Sequence, residues 1–191
     1  MRLLSGQHSR QQRTYAVKMP HSLSISSAAA LACAIMITAV NAEESPLLTP
    51  IPEQPVAPSF DLSGPGGERH NLEDMRGKPI IVNFWATWCP PCRAEMPSLQ
   101  RAWEQVKDED ILIVAVNVGE DADTIGQFTE QVKMEFPLPM DLDSNVTQRW
   151  PMNGLPTTFV VDPEGRLVYR AQGEREWDDP ALLDLVRALK Q

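Results

Sequence analysis

The feature that most constrains the fold is a pair of cysteines placed between a strand-like run and a helix-like run. Residues Ile80–Trp85 (IIVNFW) are nearly all apolar or β-branched, which is typical of a strand buried on both faces. The next residues, ATWCPPCR, carry Cys89 and Cys92, and residues 94–106 have the composition of a helix. A strand that delivers a C-x-x-C motif to the start of a helix indicates redox chemistry.

The two thiols are expected to have different roles. The free N–H groups and the positive end of the dipole stabilise a thiolate at a helix N-terminus. We therefore predict that Cys89 is the nucleophile and that Cys92 is the resolving thiol. A structural disulfide or half of a zinc site are the alternatives, but zinc needs four ligands. His70 is the only histidine after the N-terminal segment and lies far from the pair in sequence, so we expect no metal and no cofactor.

Charge is distributed unevenly along the chain. The formal net charge is -9, and residues 1–42 hold four bases and no acid. The remainder carries 13 bases against 26 acids. A domain this acidic is a poor candidate for binding nucleic acid or an anionic membrane surface, and it favours basic or neutral protein clients.

The number of cysteines is too small for a disulfide-rich scaffold. Cys33 lies in the N-terminal segment, so only Cys89 and Cys92 remain for the folded domain.

Residues 1–42 have the layout of an export signal. Bases precede the apolar stretch at residues 28–40, and small residues at a cleavage-like site follow it. The segment is close to the roughly 20 residues that span a bilayer, so an uncleaved signal anchor is the alternative to a cleaved signal peptide. Both interpretations place the domain outside the cytoplasm, in the periplasm.

Residues 43–56 are predicted to form a proline-rich linker. The prolines in and just after it are Pro46, Pro50, Pro52, Pro55 and Pro58. Such a segment adopts an extended polyproline form of ~3.1 Å per residue, so it would reach about 40–50 Å as a semi-rigid spacer. The folded domain is then expected to cover residues 57–191.

The rest of the pattern predicts an α/β domain. The expected elements are a hairpin near residues 60–72, a buried strand at 111–116, a helix at 122–133, an edge element at 136–141, a hairpin at 158–170 and a C-terminal helix after Asp179. Strand and helix alternate first, and a hairpin and a helix follow. This order indicates a mixed central sheet with helices on both faces and an N-terminal hairpin extension.

Three motifs resemble those of the thioredoxin superfamily, and more narrowly the TlpA/ResA group of exported thiol–disulfide oxidoreductases. They are FWATWCPPC at residues 84–92, EMP at 95–97 and GLPTTF at 154–159. The resemblance covers roughly residues 57–191 and implies a thioredoxin fold. It also implies that Pro156 is cis and faces the cysteines, which leaves the backbone of Leu155 free to pair with an extended client segment.

The residues around the cysteines are predicted to form the substrate groove. Trp88 would flank it, whereas Trp85 would belong to the core. Pro90 and Pro91 lie in the first helical turn, where a missing N–H matters little, and they stiffen the loop between the thiols. Arg93 is interpreted as a solvated charge rather than a catalytic one. The predicted groove therefore consists of Trp88, Pro90, Pro91, Leu155 and Pro156.

Asn83 departs from the pattern of cytoplasmic thioredoxins, which have a buried aspartate at the matching position. An amide cannot accept a proton in that way. The TlpA/ResA-like group has an acidic residue after a similar Asn-Val-Gly, and Glu120 holds that place here. We therefore predict that Glu120 has the proton-handling role. The alternative is an exposed acid that favours the start of the following helix.

The sequence thus predicts an exported thiol–disulfide oxidoreductase that reduces protein disulfides in the periplasm. Its electrons would come from a membrane thiol transporter, because the compartment is oxidising. By resemblance, apocytochrome c and copper-site proteins with vicinal cysteines are the expected clients. Two alternatives remain: an oxidant or isomerase of exported proteins, and a copper-carrying binding protein that uses Cys89 and Cys92 with Met96 or Met152. Peroxidase action is disfavoured, because the pair serves dithiol exchange.

Overall fold

The computed structural model describes residues 47–190. The strands are β1 (Thr49–Pro50), β2 (Asp61–Ser63), β3 (Arg69–Asn71), β4 (Ile80–Trp85), β5 (Leu112–Val118), β6 (Met140–Asp141), β7 (Thr157–Val161) and β8 (Leu167–Gln172). The α-helices are α1 (Pro90–Val106), α2 (Ala122–Thr129) and α3 (Pro180–Arg187), and 3-10 helices cover Leu72–Met75 and Thr147–Arg149. The predicted export signal and residues 43–46 of the predicted linker lie outside the described residues.

The central sheet is mixed and has the strand order β1-β8-β7-β4-β5-β6. Strand β4 lies parallel to β5 and antiparallel to β7, and β6 is a short parallel edge strand beside β5. All six residues of β4 are buried, which explains why its sequence is almost continuously apolar. Strands β2 and β3 form a separate hairpin. The predicted fold class, with its N-terminal hairpin, is confirmed.

Two apolar clusters cover the two faces of the sheet. One contains Ile81, Trp85 and Ile113 and is covered by residues of α1, α2 and α3. The other contains Phe84 and Phe159, and it includes residues from the two 3-10 helices or beside them. Helices therefore cover both faces, but the second face has only short 3-10 helices. Within residues 47–190 no helix combines the length and the apolar character needed to cross a bilayer.

The proline-rich segment is not a free spacer from residue 48 onwards. Leu48 is buried, and β1 pairs antiparallel with β8 at the edge of the sheet. Farther along, Ala57 donates its N–H to the carbonyl of Gly165 over 2.8 Å. The domain therefore begins before residue 57, and the predicted linker of residues 43–56 is wrong for this part. The physical reason is that an edge strand tolerates proline, because one of its sides has no strand to pair with.

Helix α2 is shorter than predicted, since it ends at Thr129 rather than at residue 133. The N–H groups of Gln131 and Val132 both turn back to the carbonyl of Phe128, which closes the helix in a turn. Phe128 is buried there. The chain then continues into the segment before β6. We infer that the burial of Phe128 ends the helix earlier than the local sequence predicts.

Candidate active site

The cysteine pair lies where the central strand passes into the first helix. Strand β4 ends at Trp85, and Cys89 is the N-cap residue of α1. Cys89 and Cys92 are joined by a disulfide bond. The backbone N–H of Cys92 donates to Sγ of Cys89 over 3.3 Å. Pro90 and Pro91 have no N–H, so this donor is the first that the helix presents to the sulfur.

This geometry distinguishes the two sulfurs chemically. After reduction, the Cys92 N–H and the helix dipole would both stabilise a thiolate on Cys89. Cys89 is 3% exposed and Cys92 is 0% exposed. The outer sulfur is therefore the one that a partner can reach first, and the inner one is placed to resolve a mixed disulfide. The predicted division of roles fits this arrangement.

Three of the predicted groove residues adjoin the pair in sequence, and the other two lie at the same end of the sheet. Trp88 is 66% exposed and Trp85 is fully buried, as expected for a groove residue and a core residue. The bond between Leu155 and Pro156 is cis, as the resemblance implied. Because Phe84 pairs with Thr157, Pro156 lies beside the end of β4 from which the cysteine loop departs.

Glu120 lies next to this loop, and both oxygens of its carboxylate already accept hydrogen bonds from neighbouring residues. One oxygen accepts from the backbone N–H of Thr87 over 2.7 Å and from Nδ2 of Asn117 over 2.7 Å. The other accepts from the hydroxyl of Thr87. Glu120 therefore ties the end of β5 to the residues just before Cys89. The structure places it near the pair as a support of the loop, and its predicted proton-handling role stays a prediction.

A second carboxyl group, Glu95, was not predicted as a site residue. It lies on α1, one turn beyond Cys92, and is 2% exposed. Its oxygens accept from Nδ2 of Asn83 over 2.7 Å and from Nε1 of Trp177 over 3.1 Å. Burial raises the pKa of the Glu95 carboxyl to about 7 from an ordinary value of 4.5, against the opposing effect of these hydrogen bonds. Glu95 can therefore gain or lose a proton near neutral pH.

Asn83 links this carboxyl to the rest of the site. Its Nδ2 also donates to Oγ1 of Thr158 over 2.8 Å, so the amide joins α1, β4 and β7. Its Oδ1 is buried and has no partner within residues 47–190. If the side-chain amide of an asparagine rotates by half a turn, its acceptor oxygen takes the place of its donor nitrogen. Asn83 can then donate to an ionised Glu95 or accept from a protonated one, and both protonation states keep a hydrogen bond.

One signal in the sequence could have identified Glu95. Cys92, Met96 and Leu99 are spaced as the buried stripe of a helix, and all three are fully buried. Glu95 falls inside this stripe, where an ionisable residue is unusual. An ionisable residue at a core position of the helix that carries Cys92 therefore marks a candidate site residue. Its partners could not have been identified, because Trp177 is 82 positions away.

The structure shows no metal centre in the part of the chain that it describes. Residues 47–190 contain no group of three or more His, Cys, Asp or Glu side chains that could hold an ion. Met96, one of the two methionines considered as a copper ligand, is fully buried beside Cys92 in the core cluster. Met152 packs against the other apolar cluster. The disulfide between Cys89 and Cys92 is the positive observation here, and such a pair can carry out dithiol exchange.

Comparisons with known proteins agree with this chemistry. The sequence matches the AhpC/TSA family over residues 54–170. It is 38% identical over 142 residues to thiol-disulfide oxidoreductase ResA of Bacillus subtilis (strain 168), and this match covers 72% of the chain and 76% of that relative.

Solved structures show the same fold. A candidate thiol:disulfide interchange protein DsbE from Chlorobium tepidum superposes with a TM-score of 0.66 at 30% identity, over 72% of this chain and 97% of that one. The exposed lipoprotein thioredoxin Etrx1 of Streptococcus pneumoniae strain TIGR4 gives 0.60 at 28% identity, over 69% and 99%. The chain therefore belongs to the AhpC/TSA family and is a thiol–disulfide oxidoreductase with a thioredoxin fold, related to ResA.

Proposed function

We propose that this protein reduces the disulfide bonds of exported proteins in the periplasm. One observation carries the dithiol-exchange chemistry of the proposal, while its reducing direction follows from the resemblance: the Cys92 N–H donates to Sγ of Cys89 at the start of α1. This arrangement lowers the free energy of the Cys89 thiolate, which is the attacking species in dithiol exchange. The exposed indole of Trp88 beside it provides a surface for a polypeptide client.

The reaction transfers two electrons from the dithiol to the client. The Cys89 thiolate attacks a client disulfide, so one S–S bond forms as another breaks, and the first client sulfur leaves and takes a proton from solvent. Cys92 then loses its proton and attacks Sγ of Cys89. The second client sulfur is released and protonated, and the protein is left with the Cys89–Cys92 disulfide.

Glu95 is suited to take the proton from Cys92 in the second step. It follows Cys92 by three positions on α1, a spacing that brings Cβ atoms to about 5–6 Å on one helix face. Its raised pKa of about 7 lets the carboxylate accept a proton at neutral pH. Asn83 holds the carboxyl in place in both protonation states.

The electrons must be replaced after each cycle. We infer that a membrane thiol transporter supplies them, because the surrounding compartment is oxidising. Apocytochrome c and copper-site proteins are the proposed clients. The export-like segment at residues 1–42 supports this location, and so does the likeness to Etrx1, which is an exposed lipoprotein.

The reduction potential tests the direction of the reaction. Equilibration with glutathione should give a value near the thioredoxin end of the range from about −270 to about −120 mV. A value near the oxidising end would overturn the reductase proposal and favour the alternative, an oxidant of exported proteins.

Trapping identifies the client directly. Cys92→Ala cannot resolve the mixed disulfide, so the client should stay bound to Cys89 and be recovered by non-reducing purification. The matched control is Cys89→Ala combined with Cys92→Ala, which should trap nothing. If wild-type protein transfers copper to an acceptor while neither variant affects disulfide reduction, the carrier alternative replaces the proposal.

A further inference from the structure

A second groove beside the cysteine pair, which shares only Pro90 with the predicted substrate groove, contains one unusual side chain, Arg93. It follows Cys92 directly on α1 and is exposed. Every other arginine in residues 47–190 donates to an oxygen of this chain: Arg69, Arg76, Arg101, Arg149, Arg166, Arg170, Arg175 and Arg187. The guanidinium of Arg93 has no such acceptor in this part of the chain. Its five donors are therefore available to a partner.

Arg93 is nevertheless held in place. Its guanidinium carbon lies 5.9 Å from the ring centroid of Phe128, in a cation–π contact. Phe128 is 8% exposed and packs in turn on Trp85, with ring centroids 5.3 Å apart. The aromatic support is thus anchored on the strand that leads to the cysteines. A guanidinium positioned in this way loses less conformational entropy when it binds than a free one.

Among residues 47–190, Arg93 is the only charged side chain that lines this second groove. The groove has a volume of about 330 Å³, and its lining residues are Pro90, Arg93, Ala94, Phe128, Gln131 and Val132. No carboxylate is among them, although the chain carries 26 acidic residues. The groove therefore has an apolar floor and a single positive charge at its edge, and it fits a segment that combines apolar contact with a negative group.

We propose that this groove receives the client polypeptide and that Arg93 pairs with a carboxylate close to the client's reactive cysteine. The proposal rests on the proposed function, because it describes how the same site selects its substrate. Arg93 follows Cys89 by four residues, which is about 6 Å along a helix axis. An extended client attached to Sγ of Cys89 covers that distance within about three residues, at ~3.3 Å each. The recognised acid therefore lies within about three residues of the client cysteine.

The experiment compares two peptides that differ in one group. Each is closed by an intramolecular disulfide, and about three residues from the first cysteine one peptide has Glu and the other has Gln. The chemically reduced protein is mixed with each peptide, and quenched samples are followed by mass spectrometry. We expect the Glu peptide to react about three- to tenfold faster at low salt. The ratio should approach one in about 1 M salt, where the Debye length is about 3 Å.

Substitutions of Arg93 test whether its charge causes the difference in rate between the two peptides. Arg93→Gln should bring the ratio to about one, Arg93→Glu should reverse it, and Arg93→Lys should keep part of it. Lys107→Gln is the matched control, since it removes one exposed positive charge from the other end of the same helix and should keep the wild-type ratio.

Three results would overturn the inference: equal rates for both peptides with wild-type protein, a ratio unchanged in Arg93→Gln, or a ratio lost equally in Lys107→Gln. If the reduced protein reacts with neither peptide, the proposed function falls and the inference falls with it. Equal rates with both peptides overturn the inference alone.

Discussion

Two carboxyl groups lie near the cysteine pair, and they are held in different ways. Glu120 is half-buried at the end of β5 and accepts from the loop that leads to Cys89. Glu95 is fully enclosed on α1 and accepts from Asn83, Trp177 and the backbone of Arg175. Burial raises the pKa of the Glu95 carboxyl to about 7. The difference shows that two carboxyl groups close to the thiols can differ strongly in burial and in hydrogen-bond partners.

The largest expected difference between the two is in stability. Glu95→Ala leaves buried donors of Trp177 and Arg175 unpaired, and we expect it to lower the free energy of unfolding by about 2–4 kcal/mol at pH 5. Glu120→Ala should cost less, about 1–2 kcal/mol, because Glu120 and Thr87 are only half-buried, although the buried Nδ2 of Asn117 also loses its acceptor. Urea unfolding at pH 5, where folded Glu95 is neutral, measures both. An equal or larger loss for Glu120→Ala would contradict the comparison.

The second difference is in how the free energy of unfolding depends on pH. The folded pKa of Glu95, about 7, lies above its ordinary value of 4.5, so the folded protein binds more protons than the unfolded chain between these limits. Stability therefore falls as the pH rises from about 4.5 to 7, by roughly 3 kcal/mol from this one group. Glu95→Gln should lose that slope and become the more stable protein above pH 7. Glu120→Gln, the matched control, should keep the slope. Parallel curves for wild type and Glu95→Gln would refute the assignment.

A third difference concerns the thiols themselves. An ionised carboxylate disfavours a nearby thiolate, so Glu95→Gln should speed alkylation of the reduced cysteines at neutral pH, by about threefold. Glu120→Gln should change the rate less, because its carboxylate interacts with Thr87 and Asn117. Iodoacetamide labelling of the reduced proteins measures both rates. A larger effect for Glu120→Gln would support Glu120 instead of Glu95 as the proton-handling residue.

The smallest expected effect comes from the neighbour of Glu120. Asp121 is the N-cap of α2, and its side chain accepts from the N–H of Thr124. Asp121→Ala should cost less stability than Glu120→Ala and should leave the alkylation rate unchanged. If this variant slowed or accelerated alkylation as Glu120→Gln does, the effect of Glu120 would reflect the start of the helix rather than the site.

Local patterns were sufficient to predict much of the fold. The apolar run of β4, the turn chemistry before β8 and the apolar stripe of α3 each specified their own element, and the structure has all three. The proline-rich segment was different. Its composition is that of a spacer, but Leu48 and Ala57 are buried in the domain. Composition describes what a segment prefers in isolation, and here contacts with a distant strand outweigh that preference.

The cysteine pair shows what the sequence determined by itself. Cys89 and Cys92 are three positions apart at the start of a helix, so local geometry places one sulfur as the N-cap and directs the Cys92 N–H towards it. The different roles predicted for the two thiols rest on backbone chemistry within four residues. The same holds for the proline pair between them, because proline is compatible with a first helical turn.

Tertiary structure alone decided the environment of Glu95. Its partners are separated from it by 12 positions at Asn83, 80 at Arg175 and 82 at Trp177, so no local pattern joins them. A pKa depends on the solvent and the dipoles around a group, and these exist only when β4, α1 and the segment before α3 have packed together. The same holds for Arg93. Its sequence context predicts only a solvated charge. Its cation–π contact with Phe128, close to the cysteines, exists only because Phe128 packs against Trp85 in the folded domain.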